Sequence, residues 1–337
     1  MSMLDMFRAD AFSLTTLTDK INKIPFVPGR LGAMGLFEES GINTLTAQIE
    51  EKGGVLYLVP TAPRGGPAAQ NLKEGRKVHP LNVVHLPVED RLMADEIQGI
   101  RAFGTESELE TIQGKVAEKQ ATMVQGLEAT FEHMRVGAVK GRVMDADGTT
   151  VLYDLFDEFG VTEDAPVNFD FGSTPPLGSI RTAIHQIQRR QEDLLGATPS
   201  RGVGALVGSE FMDMLVAEPE TRVAYERWRE GEMLRDTFAR RTFGYAGILF
   251  EEYRGKVGSV DFIADSEARF FPLGVPGLFR AVFGPANFID TVNTVGIPIY
   301  SKIVPDPAER WVDVYAQSNP LFYCTRPSVL RQGLAHS

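Results

Sequence analysis

The chain has 337 residues, 43% of them hydrophobic and 23% charged, the balance of a soluble globular protein of two domains or of one body with large extensions. Its 34 Lys and Arg against 45 Asp and Glu leave a net charge of −11, which argues against nonspecific nucleic-acid binding as the main activity. The 33 Gly and 20 Pro point to turns and extended arms, and the single cysteine, Cys324, excludes an internal disulfide and every Cys-pair zinc module.

Cys324 reads as a small buried hydrophobe between Tyr323 and Thr325. The first ten residues carry acids where a signal peptide has its basic region. No run approaches about eighteen apolar residues, so neither export nor a membrane span is expected. The product should stay in a cytoplasm.

Residues 1–46 read as an arm. Leu14, Leu17 and Ile21 fall at helical spacing over Leu14–Ile21. The rest, broken by Pro25, Pro28, Gly29, Gly32 and Gly35, must lie against something else to hide its apolar residues. Residues 47–90 read as a two-stranded excursion. Val55–Val59 and Val83–Val88 are β-branched runs, with Pro87 confining the second to an edge or an end. The connection between them is long for a compact domain, and an isolated hairpin is marginal in water. It must pack on its own body or on another subunit.

The clearest helix spans about 106–136. Thr105–Glu108 and Ser107-x-x-Glu110 fit a capping-box start. Leu109, Ile112, Val116, Met123, Leu127, Phe131 and Met134 then form one apolar stripe. Gly137 is the expected stop. A spine with a sheet laid along it is the expected setting, and His133 lies beside the stripe.

Asp147-Gly148 between β-prone arms signals a hairpin. Asp145-Ala-Asp-Gly148 could suggest calcium, but the Asp spacing stops after two and strand follows, so the turn is favoured. Residues 161–172 read as linker. Helices are expected at Leu177–Leu195, Glu210–Ala217, Pro219–Glu230 and Glu232–Arg240. Strands are expected at Gly202–Gly208, Gly247–Tyr253, Val260–Ile263, Ala268–Phe271, Ala281–Phe283, Trp311–Ala316 and Leu321–Cys324.

The chemistry that such a length could hold is sparse. There is no P-loop, and Gly202-x-Gly204-x-x-x-Gly208 has the wrong spacing for a dinucleotide fingerprint. There is no nucleophile elbow. His79 and His85 read as surface or edge histidines, and His133 and His185 lack a metalloprotease pattern. Glu50-Glu51 and Glu251-Glu252 are adjacent in sequence, so their side chains diverge, and they read as solvated faces rather than a general acid/base pair. No catalytic residue, cofactor or metal is expected, whereas extended, interaction-hungry segments abound.

Several segments, read in order, resemble the major capsid protein E family of tailed phages, the lambda-type shell protein. Leu14–Pro25 with Pro28–Phe37 resembles its N-terminal arm, and Val59–Pro67 its extended loop. Val88–Ile97 with Gly99–Gly104 resembles the approach to its spine helix. Asp145–Gly148 with Leu155–Phe159 resembles the following hairpin, and Pro305–Tyr315 with Gln317–Leu321 its closing strands. Each motif alone is weak; their order and spacing are specific.

The resemblance implies an α+β chain of the Hong Kong ninety-seven-type capsid fold. On that template residues 1–46 form the N-arm and 47–90 the extended E-loop hairpin. Residues 91–171 with 301–337 form the peripheral domain, and 172–300 the axial domain. The implied function is a major capsid protein assembling into hexamers and pentamers, an icosahedral shell around double-stranded DNA. The implied partners are other copies of the chain, a scaffolding protein (since the arm begins almost at Met1), a portal protein and a decoration protein. DNA would be enclosed without sequence-specific contact, in a virion built in the host cytoplasm. Arg64, Lys73, Arg76 and Lys77 on the extended loop are the candidate interface residues. Some shells of this fold cross-link through a lysine on that loop; this family is not generally a cross-linking one, so no bond is expected from Lys73 or Lys77. An encapsulin-like compartment of the same fold is the alternative, and a soluble enzyme with an unrecognised site the third reading.

Overall fold

The computed structural model describes residues 12–24, 29–51, 77–97, 108–171, 176–196, 198–230, 241–308 and 310–336. The apolar stripe produces a helix of 33 residues, Glu108–Lys140, about 50 Å long at 1.5 Å per residue. Ile112, Val116, Met123, Leu127, Phe131 and Met134 are all buried. The chain divides into two compact units, and this helix belongs to both, the first ending at Glu132 and the second resuming at His133.

The first unit draws on Met1–Ala47, Pro80–Glu132 and Arg280–Phe322. Its larger sheet is antiparallel, with Trp311–Ser318 between Tyr300–Pro305 and Leu86–Met93. Helix Leu14–Ile21 forms as its spacing predicts, with Ser13 as N-cap accepting from Thr16 N at 3.3 Å. It buries Leu17 and Ile21 and serves the edge strand Tyr300–Pro305. Ser301 N donates to Thr18 Oγ1 at 3.2 Å, and Asn22 Nδ2 donates to Ile299 O at 2.7 Å. From the long helix, Gln120 Nε2 reaches Ser301 Oγ at 2.8 Å.

The second sheet of this unit sets Phe279–Phe283 between Glu38–Gly41, parallel to it, and Pro320–Cys324. Phe131, Phe283 and Phe322 pack with ring centroids 5.8 to 6.1 Å apart, and Phe37 joins Phe322 edge-on. The described part of the arm therefore finds cover on its own chain. Buried Glu132 fixes it further: its carboxylate accepts Leu31 N at 2.7 Å and Gly32 N at 3.2 Å, the free donors opening helix Arg30–Met34. A Cβ at Gly29 would collide with the Glu132 side chain.

The second unit draws on Gln48–His79, His133–Phe279 and Tyr323–Ser337. Its six-stranded sheet runs Val167–Asn168, Arg331–Leu334, Glu267–Leu273, Gly202–Val207, Ile248–Glu252, Thr242–Tyr245. Helices Ser179–Leu195, Ser209–Ala217 and Pro219–Glu230 accompany it. Ile180, Ile184, Ile187, Gln191 and Leu195 form the buried stripe of the first, meeting a core that includes Phe169, Phe211, Phe243, Phe250 and Phe270. The stretch expected as linker supplies an edge strand, because Val167–Asn168 pairs with Gly333 and Leu334. At the opposite edge Trp228 lies over Gly244 and donates to Thr242 O at 2.9 Å, covering backbone that would otherwise invite pairing.

Two boundaries differ from the sequence reading. Gly137 is not the helix stop. A Cβ there would come within 2.9 Å of Arg142 O and Val143 Cα, so this glycine lets the returning hairpin close onto the helix. The helix ends at Lys140, and Gly141, at φ +85°, makes the exit. The strand expected over Val83–Val88 runs instead over Leu86–Met93, because Val83 N bonds Leu45 O and Val84 N bonds Pro320 O. The hairpin itself forms, Arg142–Met144 against Val151–Asp154. The expected strand Val55–Val59 and helix Glu232–Arg240 lie outside the described residues.

Leu127→Asp should lower stability by roughly 3 kcal/mol or more, since it buries an unpaired carboxylate; an unchanged denaturation midpoint would place the stripe in solvent. Gly137→Ala should lower the melting temperature although alanine is the better helix former, and a rise would show that the hairpin does not need the contact.

Candidate assembly surfaces

Of the interface residues expected from sequence, Arg64, Lys73 and Arg76 lie outside the described residues. Lys77 opens the strand Lys77–Asn82, which pairs with Thr46–Glu51. These paired strands flank residues 52–76. Ala47, Ile49 and Leu81 are buried, while Leu45 and Val78 are exposed. Thr46 Oγ1 and Asn82 Oδ1 meet at 2.7 Å, and Val83 N donates to Leu45 O at 3.0 Å. The pair is thus pinned by bonds local to it.

A surface that the sequence reading did not single out follows Phe279–Phe283. Ile289, Val292 and Val295 are 90%, 64% and 65% exposed. Their loop is nonetheless fixed. Buried Thr291 donates to Ala286 O at 2.8 Å, Thr294 Oγ1 donates to Thr291 O at 2.7 Å, and Gly296 N donates to Ile42 O at 2.8 Å. Ile297 N donates to the Tyr300 hydroxyl at 3.2 Å. Gly41 and Gly296 meet too closely for a Cβ on Gly41. Spacing of three apolar residues at intervals of three, between polar ones, matches neither strand nor full helix, which is why periodicity did not flag it.

The exposed strand Leu86–Met93 carries Glu89, Asp90 and Arg91. Arg91 pairs with Asp313 at 3.1 Å, and Arg91 and Arg310 both lie over the Trp311 ring, 5.1 and 4.2 Å from its centroid. Lys119 from the long helix reaches Asp90 and Glu96, both at 3.3 Å. Such charges on an open edge discourage indiscriminate strand pairing.

Below the surface of the second unit, Glu267 collects cations. Arg269 pairs with it and Lys140 Nζ lies 3.4 Å from it. Glu163 bridges Arg269 to Arg142, which also holds Asp154 at 2.6 Å. Burial works to raise the Glu267 carboxyl, but Arg269 and Lys140 outweigh it and hold it below the usual range. This network ties the helix end, the hairpin, residue 163 and the sheet.

The remaining chemistry-bearing groups are spent on structure. Asp147 accepts from Thr149 N, Thr150 N and the Thr150 hydroxyl, as the turn reading requires. His79 stacks on Phe159 at 4.8 Å, His85 meets Asn319 Oδ1 at 2.8 Å, and His133 packs on Phe262 at 4.9 Å. Cys324 is buried, which pushes its thiol up to about 12. Among the described residues no group of three or more His, Cys, Asp or Glu is placed to hold a metal ion, and no helix is long and apolar enough to cross a membrane.

Two solved structures share this architecture. A protein described as the capsid protein of an E. coli CFT073 prophage superimposes with a TM-score of 0.58 at 12% identity, covering 97% of this chain and 100% of its own. A subunit of the mature capsid of bacteriophage PhiM1 gives 0.50 at 13% identity, covering 93% and 89%. The fold is the α+β capsid fold of the Hong Kong ninety-seven type. The family model "Phage major capsid protein E" matches residues 13–335, and the chain belongs to that family. It is similar to the major capsid protein of Salmonella phage Felix O1, 28% identical over 363 residues and 97% of each chain. The major capsid protein of Pseudomonas phage KPP10 is 26% identical over 344 residues, 96% of this chain and 97% of its own. The chain is a structural protein of a phage virion rather than an enzyme.

Two measurements check this account. Cys324 should resist thiol reagents in the native protein and react fully once it is unfolded; labelling of the native chain would contradict its burial. The stability lent by Glu267 is complete above the ordinary Glu value of about 4.3 and is lost as pH falls toward its depressed folded value. The melting temperature should therefore fall more steeply between about pH 5 and about pH 3 in the wild type than in Glu267→Gln. Equal slopes would mean that Glu267 is not held ionised by its cations.

Proposed function

We propose that copies of this chain assemble into hexamers and pentamers and close an icosahedral shell around double-stranded phage DNA. The observation that carries the reading is the match to phage major capsid proteins over nearly the full length of both partners. Both of those relatives are viral, which favours a virus head over an enzyme-holding compartment. Assembly takes place in the host cytoplasm, guided by a scaffolding protein, with a portal protein at one vertex and a decoration protein as an added partner. The DNA is enclosed without sequence-specific contact. A net charge of −11 suits a wall past which DNA must move rather than stick.

In this reading residues 1–46 are the N-arm, 47–90 the extended loop, 91–171 with 301–337 the peripheral domain and 172–300 the axial domain. Of the last, 280–300 group with the first compact unit. Arg64, Lys73, Arg76 and Lys77 act at the contact between subunits. Their loop springs from a locally bonded base, Thr46–Glu51 against Lys77–Asn82, so its removal leaves the core of neither unit short of a residue named above.

Electron microscopy of the purified protein should show shells, tubes or hexamers. Deleting Arg64–Lys77 should leave a folded subunit, judged by its melting temperature, that assembles poorly. Normal closed shells from the shortened chain would remove the loop from the interface.

A further inference from the structure

The last strand of the second unit carries a charge inside. Arg331 is 6% exposed. Phe270 lies opposite it in the pairing of Glu267–Leu273 with Arg331–Leu334, so the two side chains share one face of the sheet. On that face Phe270 shares a core with Ile184 and Ile187 of helix Ser179–Leu195. Gln191, 2% exposed, belongs to the same buried stripe of that helix. Its Nε2 donates to Val329 O at 2.9 Å and to Phe270 O at 3.3 Å. The Gln191 amide therefore binds peptide groups beside the backbone of Arg331.

The far end of Arg331 is held as well. Its Nη1 pairs with Asp164, and Asp164 also accepts Arg190 Nε at 3.0 Å. Arg190 precedes Gln191 on the helix. Arg331 thus runs from the peptides that Gln191 binds to the carboxylate that Arg190 binds, and its middle passes alongside Gln191. Three buried atoms on that path have no hydrogen-bond partner among the described residues: Arg331 Nε, Arg331 Nη2 and Gln191 Oε1. The amide cannot be turned round to help, because exchanging its ends would set oxygen against two carbonyls. Two guanidinium donors and one amide acceptor are therefore buried together, and such groups are costly when unmatched.

We infer that one buried water bridges Gln191 Oε1 to the Nε and Nη2 donors of Arg331. The chemistry selects the occupant. A cation is repelled by the guanidinium, and an anion has no proton to offer the amide oxygen. Water accepts from both N–H groups and donates to Oε1, which makes about three bonds, the usual number for a buried water. It adds a polar tie between the C-terminal strand and helix Ser179–Leu195, beside those made by the Gln191 amide and Asp164. The inference concerns the inside of one subunit and does not depend on the assembly reading.

A density map of the full wild-type chain, at a resolution that shows ordered water, tests it. A peak should stand within hydrogen-bond distance of Gln191 Oε1 and of Arg331 Nε or Nη2. Bromide in place of chloride should leave its height unchanged; a rise would make the occupant an anion and overturn the inference. A direct Gln191–Arg331 bond would overturn it too, as would well-defined side chains with no peak between them. Variant stability gives a second reading. Gln191→Met and Arg331→Met should each lower the melting temperature. Combined, they should lower it by less than the sum of the two shifts, the difference being about 2 °C or more, because one shared water links the losses. Additive shifts would overturn the bridge even with a peak present. If a variant does not fold, the wild-type map decides.

Discussion

One helix makes the rest possible. Glu108–Lys140 is buried along one face from Ile112 to Val139, and it runs through both compact units, with residues up to Glu132 in the first and those from His133 in the second. At the changeover stands Glu132, a buried carboxylate that spends its oxygens on the start of a short arm helix. A charge is costly in such a place unless it is hydrogen-bonded. The arm and the helix therefore depend on each other: the carboxylate needs the arm's free amides, and the arm's helix needs a cap that its own Gly29 cannot supply.

Where burial followed periodicity, the fold was legible. Helix Leu14–Ile21, the long stripe, the Ile180–Leu195 face and the run Gly202–Val207 all announce themselves through apolar spacing. The exceptions share a cause. Glu38–Gly41 pairs in parallel with Phe279–Phe283 while remaining exposed along its length, so no hydrophobic pattern marks it. Arg331–Leu334 is polar in half its residues and becomes a strand because the sheet offers a slot. Gly137 reads as a terminator locally, yet its role is set by Val143, which only tertiary structure brings near. The capsid assignment came from the order of many weak motifs, and their spacing carried information that no single segment did. The loop at Ile289–Val295 lay beyond such reading because its exposure depends on Thr291, Thr294 and Tyr300 holding the backbone.

The two units handle polarity differently, and this bears on a shell subunit. The second unit buries an ionic network around Glu267 and Arg269, which fixes the hairpin and the sheet at the cost of desolvation. The first keeps Glu132 inside on backbone amides but wears other charges outside, on Leu86–Met93 and around Trp311. Burying charge gives geometric specificity within a subunit; displaying it lets subunits reject misaligned neighbours. Directional rejection and apolar adhesion together allow many weak contacts to be corrected before a closed particle forms.

The last strand of the chain occupies an interior slot. Arg331–Leu334 lies between Val167–Asn168 and Glu267–Phe270, and Val329, Leu330 and Ala335 around it are buried. That rung lies far along the chain from both of its neighbours, so this sheet closes only through long-range contacts. A chain without these four residues would leave Val167–Asn168 and Glu267–Phe270 each short of a partner on one side, and the core they cover would open to water.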